Sequence, residues 1–193
     1  MTDCTSGDIS CWITSQTDII TNIANNLVPV ENLITGGAYI MGIGFALRAL
    51  NCLKQHGERS AGAQQQSSGL KEPLIYLIVA AVFLYFPTAL TVLMNSTFGY
   101  SSVLAYAPVN SSNQQINTLF GSGSEVGRAL SLIIQVIGLV AFIKGWLLIS
   151  KSASQGQPPG GTSKGLVHVF GGILAMNMVG TLQILNNTLY GSG

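Results

Sequence analysis

Four apolar runs, each of about 20 residues, constrain the fold of this chain more than any other feature. The runs are Leu33–Leu53, Leu74–Met94, Ala129–Ile149 and Gly165–Leu185. A helix of about 20 residues is long enough to cross the hydrocarbon core of a bilayer. Only 8% of the residues are charged, which is too few for the surface of a soluble domain. The sequence therefore predicts an all-α membrane protein with four transmembrane helices.

The basic residues indicate how these helices are oriented. Seven of the eight Lys and Arg residues flank the connection between runs one and two or that between runs three and four. The positive-inside rule places both connections in the cytoplasm. The prediction is two tandem out-in-out hairpins: an outward tail (1–32), a first hairpin (33–94), an outward loop (95–127), and a second hairpin with an outward C-terminus (128–193).

The outward tail carries a helical pattern and two cysteines. Apolar residues recur there at spacings of three, four and seven, next to Trp12 and before Pro29: Ile9, Ile13, Ile20, Ile23 and Leu27. This spacing predicts a short amphipathic helix, lying on the membrane surface or packed against an outer partner. Cys4 and Cys11 either form a disulfide in an oxidising compartment or remain unpaired, and the sequence leaves both open.

The two halves of the chain resemble each other. Gly42 and Arg48 are six residues apart, as are Gly138 and Lys144, with a shift of 96 between the pairs. The segment from Leu90 to Gly99 matches the segment from Leu182 to Gly191 with a shift of 92. A duplicated hairpin explains this pattern, and chance similarity between apolar segments is the alternative.

Small residues in spans one and four predict helix packing. Alanine and glycine at intervals of four let another backbone approach closely. The predicted packing residues are Ala38, Gly42, Ala46, Gly171, Gly172 and Ala175, which we expect to contact neighbouring subunits, and Asn177, which joins helices by a hydrogen bond or, as the alternative, binds a substrate. Span two is instead bulky and aromatic, so we expect it to face lipid over much of its circumference, with a kink near Pro87.

Three basic or titratable residues lie within or near the spans. Arg48 and Lys144 sit about five residues from the cytoplasmic boundary, where long side chains reach the headgroups as anchors. Contact with a substrate is the alternative for both. His168 is interpreted as a further cytoplasmic-side anchor rather than a metal ligand, because no Cys, Asp or Glu is near it.

The sequence favours neither an enzyme nor a nucleic-acid-binding protein. It contains no phosphate-binding glycine loop, no nucleophile elbow and no pair of histidines at metal-ligand spacing. A net charge of +1 gives no basic field for nucleic acid. We therefore expect no cofactor and no metal, and membrane lipid as the surroundings.

The stretch from His168 to Asn177, His-Val-Phe-Gly-Gly-Ile-Leu-Ala-Met-Asn, resembles small inner-membrane proteins of Dot/Icm (type IVB) bacterial secretion systems, in particular the IcmC/DotE family. The similarity extends to length, span pattern and short outward tail. DotP-like and DotV-like subunits share the HxxGGxxAxN character. The resemblance implies a structural role in the bacterial inner membrane beside a DotA-like channel protein, with protein effectors as the cargo.

Two other classes compete with this interpretation. One is a homo-oligomeric transporter or channel for small solutes, with Arg48 and Lys144 as anion contacts. The other is a membrane-embedded assembly factor, which differs from a structural subunit only in leaving the final complex.

Overall fold

The structure is a computed structural model that describes residue 19, residues 22–23, and residues 26–60, 70–99, 125–153 and 160–190. Within these residues the chain is all-helical. The six helices are α1 (Leu27–Ser60), α2 (Lys71–Leu84), α3 (Phe86–Phe98), α4 (Glu125–Ala153), α5 (Gly161–Met176) and α6 (Met178–Tyr190). Cys4, Cys11 and most of the predicted amphipathic helix lie outside the described residues.

Two of these helices are long and apolar enough to cross a membrane singly. They are α1 and α4, and the number rises to four if each of the bent pairs α2–α3 and α5–α6 is one span. With 34 residues, α1 is about 50 Å long, against a hydrocarbon core of about 30 Å. The described helices therefore support a multi-pass membrane protein.

The helix boundaries differ from the predicted ones at the ends predicted to face outward. Pro29 does not separate a tail helix from the first span, because α1 begins at Leu27 and contains Pro29 in its first turn. Proline is tolerated there because the amide it lacks would have no helical partner. The predicted loop 95–127 is also shorter, since α3 continues to Phe98 and α4 begins at Glu125.

The second and fourth apolar runs are not straight helices. The chain turns by 90° between α2 and α3 and by 91° between α5 and α6. Tyr85 stands at the first break, two residues before Pro87. In an unbroken helix the ring of Pro87 would clash with the carbonyl of Phe83, four residues earlier. The kink expected near Pro87 is therefore present, and it is far larger than an ordinary proline kink.

The second break is built with side-chain hydrogen bonds rather than proline. Asn177 Oδ1 accepts a hydrogen bond from the backbone amide of Gly180 at 3.0 Å, as an N-terminal cap of α6 does. Thr181 Oγ1 donates to the carbonyl oxygen of Leu174 at 2.8 Å, on the other side of the break. Backbone groups that the bend frees from the helix thus keep partners, which an apolar environment requires.

Each long helix packs antiparallel against the first half of the bent pair that follows it. α1 packs on α2, and α4 packs more extensively on α5. The two hairpins meet mainly where α2 contacts α4. The four helices therefore follow one another across the fold in the order α1, α2, α4, α5.

A row of aromatic rings forms the core and joins the hairpins. Phe45 of α1 stacks on Tyr76 and Phe83 of α2, and Phe86 contacts Phe142 of α4 with ring centroids 6.0 Å apart. Tyr76, Phe83 and Phe86 are almost completely buried. Three of the four aromatic side chains of span two therefore fill the space between helices, whereas Tyr85 is 68% exposed. The side of α2 that carries Leu74, Leu77 and Ile78 is exposed.

We predict that Asn177→Ala lowers the stability of the protein in detergent micelles. The amide of Gly180 loses its acceptor, and loss of such a cap costs about 1 kcal/mol. Thermal or denaturant unfolding followed by circular dichroism measures the change. Asn187→Ala, at an exposed position of α6, is the matched control. Equal stability of the two variants would show that Asn177 does not hold the break.

Candidate helix-packing site

Four glycines bring the backbones of α4 and α5 into direct contact. A Cβ atom at Gly138 would lie 2.8 Å from the carbonyl oxygen of Gly172, and one at Gly145 would lie 2.7 Å from that of Gly165. Real Cβ atoms do not approach oxygen this closely, so only glycine fits these positions. Gly138 and Gly145 are seven residues apart, as are Gly165 and Gly172. Seven residues are nearly two helical turns, so each pair lies on one face.

The first hairpin uses the same arrangement with larger residues. A Cβ atom at Gly42 would lie 2.9 Å from the backbone nitrogen of Leu84. Seven residues further along α1, the small and fully buried residue is Ala49. On the facing helix Pro73 and Ala80, also seven apart, are buried. Alanine and proline hold α1 and α2 further apart than glycine would, which agrees with the less extensive contact between them.

The contacts of Gly42 and Gly138 show that the two hairpins are structurally equivalent. The Cβ position of Gly42 approaches Leu84 N at 2.9 Å and Phe83 C at 3.1 Å. That of Gly138 approaches Met176 N at 2.6 Å and Ala175 C at 3.0 Å. The glycines differ by 96 in number and their neighbours by 92, which are the shifts of the sequence repeat. The breaks at Tyr85 and Asn177 also differ by 92.

The structure places most of the predicted packing residues inside their own hairpin. Ala38 is fully buried, Gly42 meets α2, and Gly172 and Ala175 meet α4. Gly171 differs, because it is exposed and no atom of the described chain outside its own helical neighbourhood lies within 4 Å of its Cβ position. Successive residues of a helix point about 100° apart, so two adjacent glycines face different surroundings.

The remaining members of the predicted set are less enclosed. Ala46 is half-buried on α1. Asn177, also half-buried, caps α6 across the break, so the hydrogen bond described above joins the two halves of one bent pair.

The two basic residues within the spans, Arg48 of α1 and Lys144 of α4, are exposed. The Arg48 guanidinium lies over the Tyr76 ring, with Cζ 5.0 Å from the ring centroid, in a cation–π arrangement. Lys144, at the equivalent position of α4, is exposed. The residue equivalent to Tyr76 is His168, whose Nδ1 lies 2.8 Å from the carbonyl oxygen of Lys164. Arg48 therefore contributes to the contact between α1 and α2.

Sequence reasoning did not identify Gly138, Gly145 and Gly165 as packing residues. The interval of seven between Gly138 and Gly145, repeated by Gly165 and Gly172 in the next run, is the signal that identifies them. The search for small residues at intervals of four passed over this pattern. An interval of seven follows one helix face over a longer distance than an interval of four does.

No protein-family model, curated protein or solved structure matches the chain. Among the residues that the structure describes, no three His, Cys, Asp or Glu side chains are grouped so that they could hold a metal ion. Cys52 is a free, half-buried thiol. A function for the chain is therefore inferred from its own residues and their packing.

We predict that Gly172→Ala destabilises the second hairpin while Gly171→Ala does not. The added methyl group at position 172 would lie 2.7 Å from Gly138 O and from Phe142 N, so the helices must separate. Such overpacking costs about 1–3 kcal/mol. At position 171 the methyl group enters open space and adds helix propensity. Unfolding midpoints in the same detergent measure both, and equal loss in the two variants would contradict the glycine contact.

Proposed function

We propose that this chain is a non-enzymatic structural subunit of a protein assembly in the bacterial inner membrane, of the Dot/Icm (type IVB) secretion class. In this role it packs beside a DotA-like polytopic channel protein and other small subunits, DotP-like and DotV-like, in the conduit for effector proteins. Each bent pair crosses the membrane as one broken span. The chain then has four crossings and both termini in the periplasm.

The charges at the helix ends support four crossings. α1 and α4 each carry basic residues towards the C-terminal end, Arg48 and Lys54 in the first and Lys151 in the second. If the pair α2–α3 returned to the cytoplasm, α4 would begin inside and Lys151 would lie outside. That arrangement violates the positive-inside rule, whereas one crossing by each bent pair satisfies it in both halves.

An exposed apolar face of α1 is the observation that carries the structural role. Ile40 and Leu47 are 74% and 58% exposed, and Gly44 lies between them on the same face. No other part of the described chain comes within 4 Å of the Cβ position of Gly44. Contact with lipid does not select for glycine, whereas small residues such as glycine let another transmembrane helix approach closely. We call Ile40, Gly44 and Leu47 the Gly44 face, and propose that the channel protein packs there.

The sequence resemblance supports the secretion class. The motif from His168 to Asn177 covers the second half of α5 and ends at the break. Within it, Gly172 and Ala175 make the close contact with α4, and Asn177 caps α6. The motif residues are thus the ones that determine the geometry of the second hairpin, so proteins that share the motif are expected to share that hairpin.

Extraction of the tagged chain from its native membrane in a mild detergent tests this proposal. We expect a large complex that contains a polytopic channel protein and further small subunits. Gly44→Trp should release the channel protein, and Gly57→Trp, at another open glycine of α1, should not. A small pure oligomer that conducts anions in liposomes and loses this flux in Arg48→Gln would instead establish the transporter.

A further inference from the structure

The two hairpins touch each other through a pair of aromatic rings. Phe86, at the start of α3, and Phe142 of α4 are both fully buried and touch each other. On α2, Val79 is also fully buried. Its structural counterpart on α5 is Gly171, which is exposed. Because the two positions are equivalent within their hairpins, we attribute the burial of Val79 to the contact between α2 and α4.

The long helices differ in the same way. On α4, Gln135 and Leu139 are 7% and 6% exposed. Their counterparts 96 residues earlier on α1 are Tyr39 and Ile43, which are 40% and 55% exposed. Ala46, the counterpart of Phe142, is half-buried. The face of α4 that the first hairpin covers therefore has an apolar equivalent on α1 that the described chain leaves uncovered. We call Tyr39, Ile43 and Ala46 the α1 docking face.

The two bent pairs differ in exposure as the two long helices do. Val79 and Phe86 of the first pair belong to the same buried core cluster as Phe142, and Val82 packs against this cluster. Their counterparts 92 residues later are Gly171, Leu174 and Met178, which together we call the α5 docking face. Leu174 is 44% exposed, Gly171 is open, and Met178 is half-buried. The second hairpin thus exposes the surface that is equivalent to the one through which the first hairpin contacts α4.

We propose that a second copy of this chain occupies these faces, with the α5 docking face of one copy on the α1 docking face of the next. The contact repeats the one between the two hairpins within a chain. Its register places Met178 of one copy against Ala46 of the next, as Phe86 lies against Phe142. Met178 and Ala46 are smaller than two phenylalanines, so the helices can approach more closely.

The symmetry of the assembly follows from this contact. It joins two different faces, so it is heterologous and extends from copy to copy. With the four-crossing topology proposed above, both hairpins run in the same direction across the membrane. Successive copies are then related by rotation about an axis near the membrane normal, which closes into a ring. The self-contact does not depend on membership of a secretion system and does not use the Gly44 face.

Cysteine cross-linking in native membranes tests the proposal. Cys4, Cys11 and Cys52 are first replaced by serine, and Ala46→Cys and Met178→Cys are carried by two differently tagged copies. A short bismaleimide should produce dimers that contain both tags, and neither variant expressed alone should produce a dimer. A chain with both substitutions should give a ladder that stops at the ring size.

Gly171→Trp provides the second measurement. No atom of the described chain outside its own helical neighbourhood is within 4 Å of that Cβ position, so the fold should survive while the ladder is lost. Gly37→Trp, an equal change at an open glycine on the side of α1 opposite Ala46, should leave the ladder intact.

Three results would overturn the ring. Dimers from either single-cysteine variant alone would show a two-fold contact between identical faces. No cross-link between the two variants, with wild-type circular dichroism, would show that lipid or another protein covers these faces. A ladder that persists in Gly171→Trp would place the contact elsewhere. Release of the channel protein by Gly44→Trp is scored separately, so failure of the ring and failure of the proposed function are distinguishable.

Discussion

The contact between backbones at Gly138–Gly172 and Gly145–Gly165 is the interaction on which the second hairpin depends. Between helices in lipid there is little hydrophobic driving force, because the acyl chains are as apolar as the side chains. Association then relies on dispersion between closely approaching atoms and on hydrogen bonds. The four glycines lie seven residues apart on each helix, and at these positions backbone atoms of α4 and α5 come into direct contact. This explains why α4 and α5 form the most closely packed pair in the fold.

The bends follow from the same requirement that backbone groups keep their partners in an apolar environment. In each half a glycine of the long helix contacts the last residue before the break, Leu84 in one half and Met176 in the other. Beyond it the chain turns through about a right angle, with Pro87 or with Asn177 and Thr181. Two different local solutions thus give the same geometry at equivalent positions, which explains why the repeat is clearer in the structure than in the residues.

Hydropathy predicted the four apolar segments well, since each lies within the helices observed. It could not predict the right-angle bends, because Tyr85 and the residues around Asn177 are as compatible with an apolar run as those before and after them. Nor could it distinguish an aromatic ring that faces lipid from one that faces another helix, so the burial of Tyr76 and Phe83 and the exposure of Tyr85 were not predicted. Small-residue spacing found Gly42 and Gly172 but missed Gly145 and Gly165. Which of two adjacent glycines is covered depends on where the partner helix packs. The sequence of one helix alone does not contain this information.

The equivalence of the two hairpins is the central claim, and distances between spin labels test it most directly. In the cysteine-free chain, labels at Gly44→Cys and Ile78→Cys measure the first hairpin, and labels at Val140→Cys and Phe170→Cys occupy the counterpart positions of the second. All four positions are exposed. Pulsed electron paramagnetic resonance should give the same mean distance for both pairs. Means that differ by more than one helical turn, about 5 Å, would contradict the repeat.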